Sequence, residues 1–268
     1  MKVVEVQAEK ISSYRRSIKN KKHMWTAILL ILFIYLSGHQ VEFSFPKLII
    51  GLPNMGDLIV KMIPPHFGYF SQITQPILET IRMALLGTTF GALLAIPLAL
   101  CSARNIFRSK LVTIPSRFFL NLIRTIPDLL LAALFVAIFG IGPVAGIFAL
   151  TGFSLGIIGK LFYESVEAID KGPLEAMTAV GANKVKWIMY GVIPQVLSQF
   201  ASFVLYTLEV NVRAAAVLGL VGAGGIGLFY EKTLGFFEYD KTSSIIMFTL
   251  IVVLAIDYIS TRLREKLL

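Results

Sequence analysis

The chain has 268 residues, 56% of them hydrophobic and 15% charged, with a formal net charge of +9. Soluble domains carry about 25% charged residues, so this surface cannot be mostly water-facing. The positive charge does not point to nucleic acid, because Lys and Arg gather beside apolar runs, as the charge bias of membrane loops requires.

In chain order, residues 1–23 form a basic tail, too polar for a cleavable signal sequence. Six apolar runs follow, near 24–37, 77–103, 118–141, 143–163, 188–210 and 243–261. A crossing helix needs roughly 17–25 residues, and the first run is short. Letting it cross places the basic tail on the same side as the later basic loops and satisfies the positive-inside bias. The expectation is an all-α, polytopic membrane protein with six transmembrane helices and both termini cytoplasmic. Its parts are the tail (1–23), a first transmembrane helix and outer loop (24–76), and a main transmembrane domain (77–268).

The outer loop carries Pro46, Pro53, Pro64, Pro65 and Pro76, which argue against one long helix. Only residues 55–63 read as a short amphipathic helix lying on the membrane face. Gly87 and Gly91 in the second span, and Gly152 and Gly156 in the fourth, have the spacing of close helix contacts. In the third span Arg124 and Asp128 stand four apart, near enough to pair on one helix, with Pro127 between them bending it. Cys101 is the only cysteine, so no intrachain disulfide exists. His23, His39 and His66 are scattered, and neither a metal site nor a catalytic set is expected.

Residues 170–187, "DKGPLEAMTAVGANKVKW", read as a two-turn helix over 173–180. Pro173 suits a first helical position, with Gly172 as N-cap. Glu175 favours the positive end of the helix dipole, and Gly181 suits a left-handed stop. So short a helix is marginal alone. It must pack either on this chain's own span ends or in a partner's groove.

The fifth span carries Gln195, Gln199, Ser202, Tyr206, Glu209 and Arg213, at steps that put all six on one helical face, with Ser198 beside them. Polar groups in hydrocarbon need partners, so this face looks at a wet pathway or at another helix. Asp257 in the sixth span lies near the inner surface. Beyond the fifth span, "VLGLVGAGGIG" contains G-x-G-x-x-G at Gly222, Gly224 and Gly227. The dinucleotide reading needs flanking strands within a unit of about 30 residues, and too few residues remain before the sixth span. The glycines are read instead as close-packed backbone, or as part of a gate. No G-x-x-x-x-G-K-[ST] occurs, so the chain has no phosphate-binding loop for ATP.

Glu175-Ala176, Gly181 and Pro194 resemble the E-A-A…G…P signature of ABC-importer permeases. Met177 stands in place of the usual second alanine, Gly191 in place of an isoleucine and Ile193 in place of a leucine. Further segments, "RTIPDLLLAALFVAIFGIGPVAG", "IGKLFYESVEAIDKGPLEA", "YGVIPQVL" and "LEVNVRAAAVLGLVGAGGIG", resemble the phosphonate ABC transporter permease (PhnE-like) family. The resemblance covers roughly residue 77 to the C-terminus.

The resemblance implies a type I ABC importer permease fold in a bacterial inner membrane. It implies a coupling helix near 170–187 that docks on an ATPase through Pro173, Leu174, Glu175, Ala176, Met177, Gly181, Ala182 and Pro194. It implies a path or gate drawn from the six polar residues of the fifth span with Gly222, Gly224, Gly225, Gly227, Arg124 and Asp128. Arg213 is then a candidate to attract a phosphorus oxyanion, with Glu209 opposing it unless neutralised. The implied partners are a second permease copy, two ABC ATPases that bind ATP and Mg, an extracytoplasmic phosphonate- or phosphate-binding protein, and membrane lipid. Nucleic acid is not among them. An ion-coupled secondary transporter of a small anion is the alternative.

Overall fold

The computed structural model describes residues 23–267, and the expected basic tail up to residue 22 lies outside them. Every regular element among the described residues is helical, as expected. Two compact units divide near residue 60.

The first unit contains α1 (His23–Gln40) and most of α2 (Phe45–Met62), bent by 58° between them. Sequence reasoning expected only a short helix at 55–63 here; α2 has 18 residues. The prolines explain the difference. Pro46 sits in the first turn, where its missing N–H costs nothing. Pro64 and Pro65 lie beyond the end, so Pro53 alone interrupts the bonding. No residue of α2 is buried.

The second unit is built around α3 (Phe70–Ser102), 33 residues long. It packs along α6 (Pro143–Glu167) and α9 (Ile193–Leu218). Glycine makes the α3–α6 approach possible. A Cβ on Gly87 would stand 2.5 Å from Leu150 Cβ, and one on Gly91 would collide with Ser154. At the centre of this contact Asn211 of α9 donates to Thr88 Oγ1 at 2.7 Å and to Ser154 Oγ at 2.6 Å. One amide thus ties three helices together where burial makes a missing partner costly.

The third apolar run is not one continuous helix. It is split into α4 (Lys110–Thr125) and α5 (Asp128–Phe139), set at 92°. Pro127 is the cause. A residue before proline is driven out of the helical region, and Ile126 is extended at φ −78°, ψ 121°. Both pieces pack on glycines of α6: a Cβ on Gly152 would meet Leu131 at 2.9 Å, and one on Gly156 would meet Arg124 Cγ at 2.7 Å.

The chain then forms α7 (Gly172–Ala179), a single turn α8 (Lys184–Lys186), a wide π turn over Trp187–Val192, and α9. After a glycine turn come α10 (Ile226–Gly235) and α11 (Tyr239–Leu267). Among the described residues four helical segments are individually long and apolar enough to cross a membrane, and the two bent pairs bring the number to six if each is one span.

Candidate coupling and translocation site

The α7 element is specified by its ends. Lys171, not the expected Gly172, is the N-cap. The capping acceptor comes from one residue earlier, where Asp170 Oδ1 accepts from Gly172 N–H at 3.1 Å. Pro173 lies in the first turn, and Glu175 stands at the positive end of the helix. At the other end Gly181 is left-handed at φ +69°. Its N–H donates to Thr178 O at 3.1 Å, and Ala182 N–H donates to Met177 O at 3.0 Å. These two bonds are the Schellman stop that a C′ glycine permits.

Only Leu174 of α7 is buried. Trp187 Nε1 donates to Leu174 O at 3.1 Å, and the Lys184 ammonium lies 4.5 Å from the Trp187 ring centroid. Gln195 reaches back from α9: its Nε2 donates to Asp170 O at 3.3 Å, and its Oε1 accepts from Asp170 N–H at 3.1 Å. Gln195 therefore braces the α6–α7 turn, although its sequence position assigned it to the polar stripe. Pro173, Glu175, Ala176, Thr178, Ala179 and Val180 remain exposed, so the helix is held from behind and presents its outer face.

Two departures from the E-A-A pattern meet here. A Cβ on Gly191 would lie 3.1 Å from Leu174 Cδ2 and 3.6 Å from Met177 Cγ. The larger residue at 177 is matched by the absent side chain at 191. Gly191→Ile is expected to cost about 1–3 kcal/mol through overpacking, and adding Met177→Ala to return much of it. Thermal midpoints of the two single variants and the double variant in detergent check the coupling.

The ends of α3, α4 and α6 are clamped nearby. Arg117 pairs with Glu167 at 2.5 Å, donates through Nε to Ser102 O at 2.8 Å, and stacks 4.8 Å from the Tyr163 ring. Arg104 N–H also donates to Glu167 Oε1, at 2.7 Å.

On α9, Gln199 and Tyr206 are exposed and Ser202 half-buried. Glu209 is only 7% exposed. Its Oε1 accepts from Arg213 at 2.6 Å, and its Oε2 accepts from Arg264 of α11 at 3.1 Å. Pairing with Arg213 was legible as an i,i+4 step; Arg264 was not, because it comes from 55 residues away. Asn211, two residues past Glu209, was missed as well. The Arg124–Asp128 pair is absent: among the described residues neither has an ion-pair partner, since the break at Pro127 removes the common helical face. Asp257 is half-exposed and likewise unpaired among the described residues.

The glycine turn is wedged between α3 and α6. Gly222, Gly224 and Gly225 all have positive φ. Gly142 N–H donates to Gly222 O at 2.9 Å. From α3, Glu79 Oε1 accepts from Gly225 N–H and Thr80 Oγ1 accepts from Ile226 N–H, each at 2.9 Å. Side chains of one helix thereby cap the start of another. Gly227 and Gly219 pack backbone to backbone: a Cβ on Gly219 would stand 2.5 Å from Gly227 Cα.

Residues 87–267 match the family described as binding-protein-dependent transport system inner membrane component. The chain belongs to this family. As a permease of that family it is a multi-pass inner-membrane component, whose fold belongs with ATPase and binding-protein partners. Among its relatives, HtxC of Stutzerimonas stutzeri, which carries the name of a phosphite transport system permease, is 38% identical over 96% of this permease and 92% of that protein. The phosphite transport system permease PtxC of the same organism is 35% identical, covering 80% and 78%. The phosphate-import permease PhnE of Mycolicibacterium smegmatis is 34% identical over 87% of this permease and 44% of its own length. A chain of the MetNI methionine ABC transporter superposes with a TM-score of 0.67 at 23% identity, covering 75% of this permease and 99% of that chain. A chain of a bacterial alginate ABC importer gives 0.59 at 16% identity, covering 91% and 99%. These likenesses show the type I ABC importer fold. They do not favour the ion-coupled secondary transporter.

Proposed function

We propose that this permease carries a phosphorus oxyanion, namely phosphite, phosphonate or phosphate, into the cell. The observation that carries the reading is the 38% identity to HtxC along nearly the whole chain. The paired arginines on α9 and α11 support it, because a pathway for anions needs positive charge that is not wholly cancelled. In this reading two copies form the path and both termini are cytoplasmic. Each α7 docks on one of two ATPases through its exposed Pro173, Glu175 and Ala176 and half-buried Met177, with Gly181 and Ala182 ending it; Leu174, expected to dock, is instead buried and anchors the helix from behind, where Pro194 starts α9. ATP and Mg are bound by those partners. An extracytoplasmic binding protein delivers the anion.

Closure of the ATPases pulls on α7. The Trp187–Leu174 and Gln195–Asp170 bonds pass that pull to α9 and α6. The α9 face and the Gly222–Gly227 turn then alternate access. Co-reconstituting the permease with its ATPase and binding protein in proteoliposomes tests the assignment. Phosphite uptake is expected to require enclosed ATP and to stop with a hydrolysis-dead ATPase. Uptake driven by an ion gradient, with no ATPase present, overturns it.

A further inference from the structure

We propose that Arg264, near the end of α11, is a specificity-determining residue of the anion path, supplying a positive charge that the buried Glu209 positions but does not cancel. This deepens the proposed function and rests on it.

A carboxylate buried at membrane depth is costly unless paired, and one cation neutralises it. The structure supplies two: Arg213 at 2.6 Å and Arg264 at 3.1 Å. The three groups in contact therefore carry one surplus positive charge. Asp257, two turns earlier on α11, pairs with neither arginine among the described residues, so it does not offset that charge by contact.

Exposure separates the acid from its partners, and the proposed path along the α9 face then puts the accessible charge beside the cargo. Arg213 is 49% exposed and Arg264 25%, against 9% for the Glu209 side chain. The acid is the hidden member and the two guanidinium groups are the accessible ones. Exposed Tyr206 and half-buried Ser202 continue the same face of α9. Arg264 is also fixed in place. Ser260 Oγ donates to Leu205 O at 3.1 Å and ties α11 to α9, while Arg264 Nη2 also reaches Thr261 Oγ1 at 3.2 Å. Donors are left over: Arg264 Nη1 has no acceptor among the described residues and is not buried, whereas Nε, also without an acceptor, is buried. A planar guanidinium with spare donors is suited to an oxyanion. Glu209 thus acts as a positioning residue, holding both forks apart by accepting one on each oxygen.

The test is a charge count in the reconstituted complex. Wild-type phosphite uptake is measured first; no phosphite, phosphonate or phosphate uptake there refutes the functional reading, independently of this inference. R264Q brings the cluster to neutrality and is expected to lower uptake about tenfold or more, the range that focused charge gives. R264K keeps the charge and is expected to stay much nearer wild type. The double variant E209Q/R264Q restores one net positive charge through Arg213 and is expected to return uptake to within about threefold of wild type. A purely structural role predicts the opposite, with the double variant as poor as R264Q or poorer. Should R264Q fail to fold, the double variant decides alone. Uptake within threefold supports the charge count, and a tenfold loss overturns it. So does R264Q uptake equal to wild type.

Discussion

Gly224→Val is expected to remove folded permease from the membrane, not merely to stop transport. Gly224 has φ +84°, and a Cβ there would lie 2.7 Å from Pro143 N, 2.8 Å from Pro143 Cα and 3.0 Å from Gly142 C. All three are backbone atoms at the start of α6, so no rotamer change relieves the contact. A left-handed conformation costs a substituted residue about 1–2 kcal/mol, and overpacking a tight site about 1–3 kcal/mol. Against a net stability of about 5–15 kcal/mol that is a large share. The collision also strains the Gly142–Gly222 bond and the Glu79 and Thr80 caps on α10. Gly235 is the control: its Cβ position is open, and Gly235→Ala is expected to shift stability by less than about 0.5 kcal/mol. Membrane yield and thermal midpoint of both variants check this. A Gly224→Val protein of normal yield and midpoint would show the turn to be looser than its geometry.

A G-x-G run shows only that the backbone is permissive, not what presses on it. Local features were the legible ones. Pro173, Glu175 and Gly181 define α7 through bonds that span a few residues, and both ends lie within one residue of the expectation. The apolar runs marked the membrane segments for the same reason. Features set by distant contacts were not legible. Pro127 announced a bend, but its 92° angle depends on α4 and α5 seating on different glycines of α6. Arg264 carried no local sign of its partner, because Glu209 lies 55 residues away in sequence. Asn211 offered only a polar residue in an apolar run, on the side of the helix away from the stripe. Gln195 lay on the stripe by spacing, yet its bonds go to Asp170. In α2, counting prolines misled because their positions, not their number, decide whether a helix continues.

Trp187→Ala is the second large expected effect, and it acts chiefly on α7. A helix of eight residues is below the length at which isolated helices hold together in water, so its order is borrowed from what lies behind it. Leu174 is its one buried side chain, and Trp187 both covers that residue and bonds its carbonyl. The Lys184 ammonium rests on the same ring while its Nζ donates to Ile106 O at 2.6 Å. The indole therefore also links α7 to the loop after α3. Truncating a packed Trp costs about 3–5 kcal/mol, more than a two-turn helix holds in reserve. Backbone amides of Gly172–Ala179 are expected to exchange hydrogen at least about 100-fold faster, while those of α6 and α9 stay protected. In the reconstituted complex ATP-driven uptake is expected to fall with them. Trp187→Phe keeps the ring and drops only the Nε1 bond, a loss of about 1 kcal/mol, so its α7 amides are expected to remain largely protected. If α7 stays protected in Trp187→Ala, the helix is held by Gln195 and Asp170 instead, and force reaches α9 without the tryptophan.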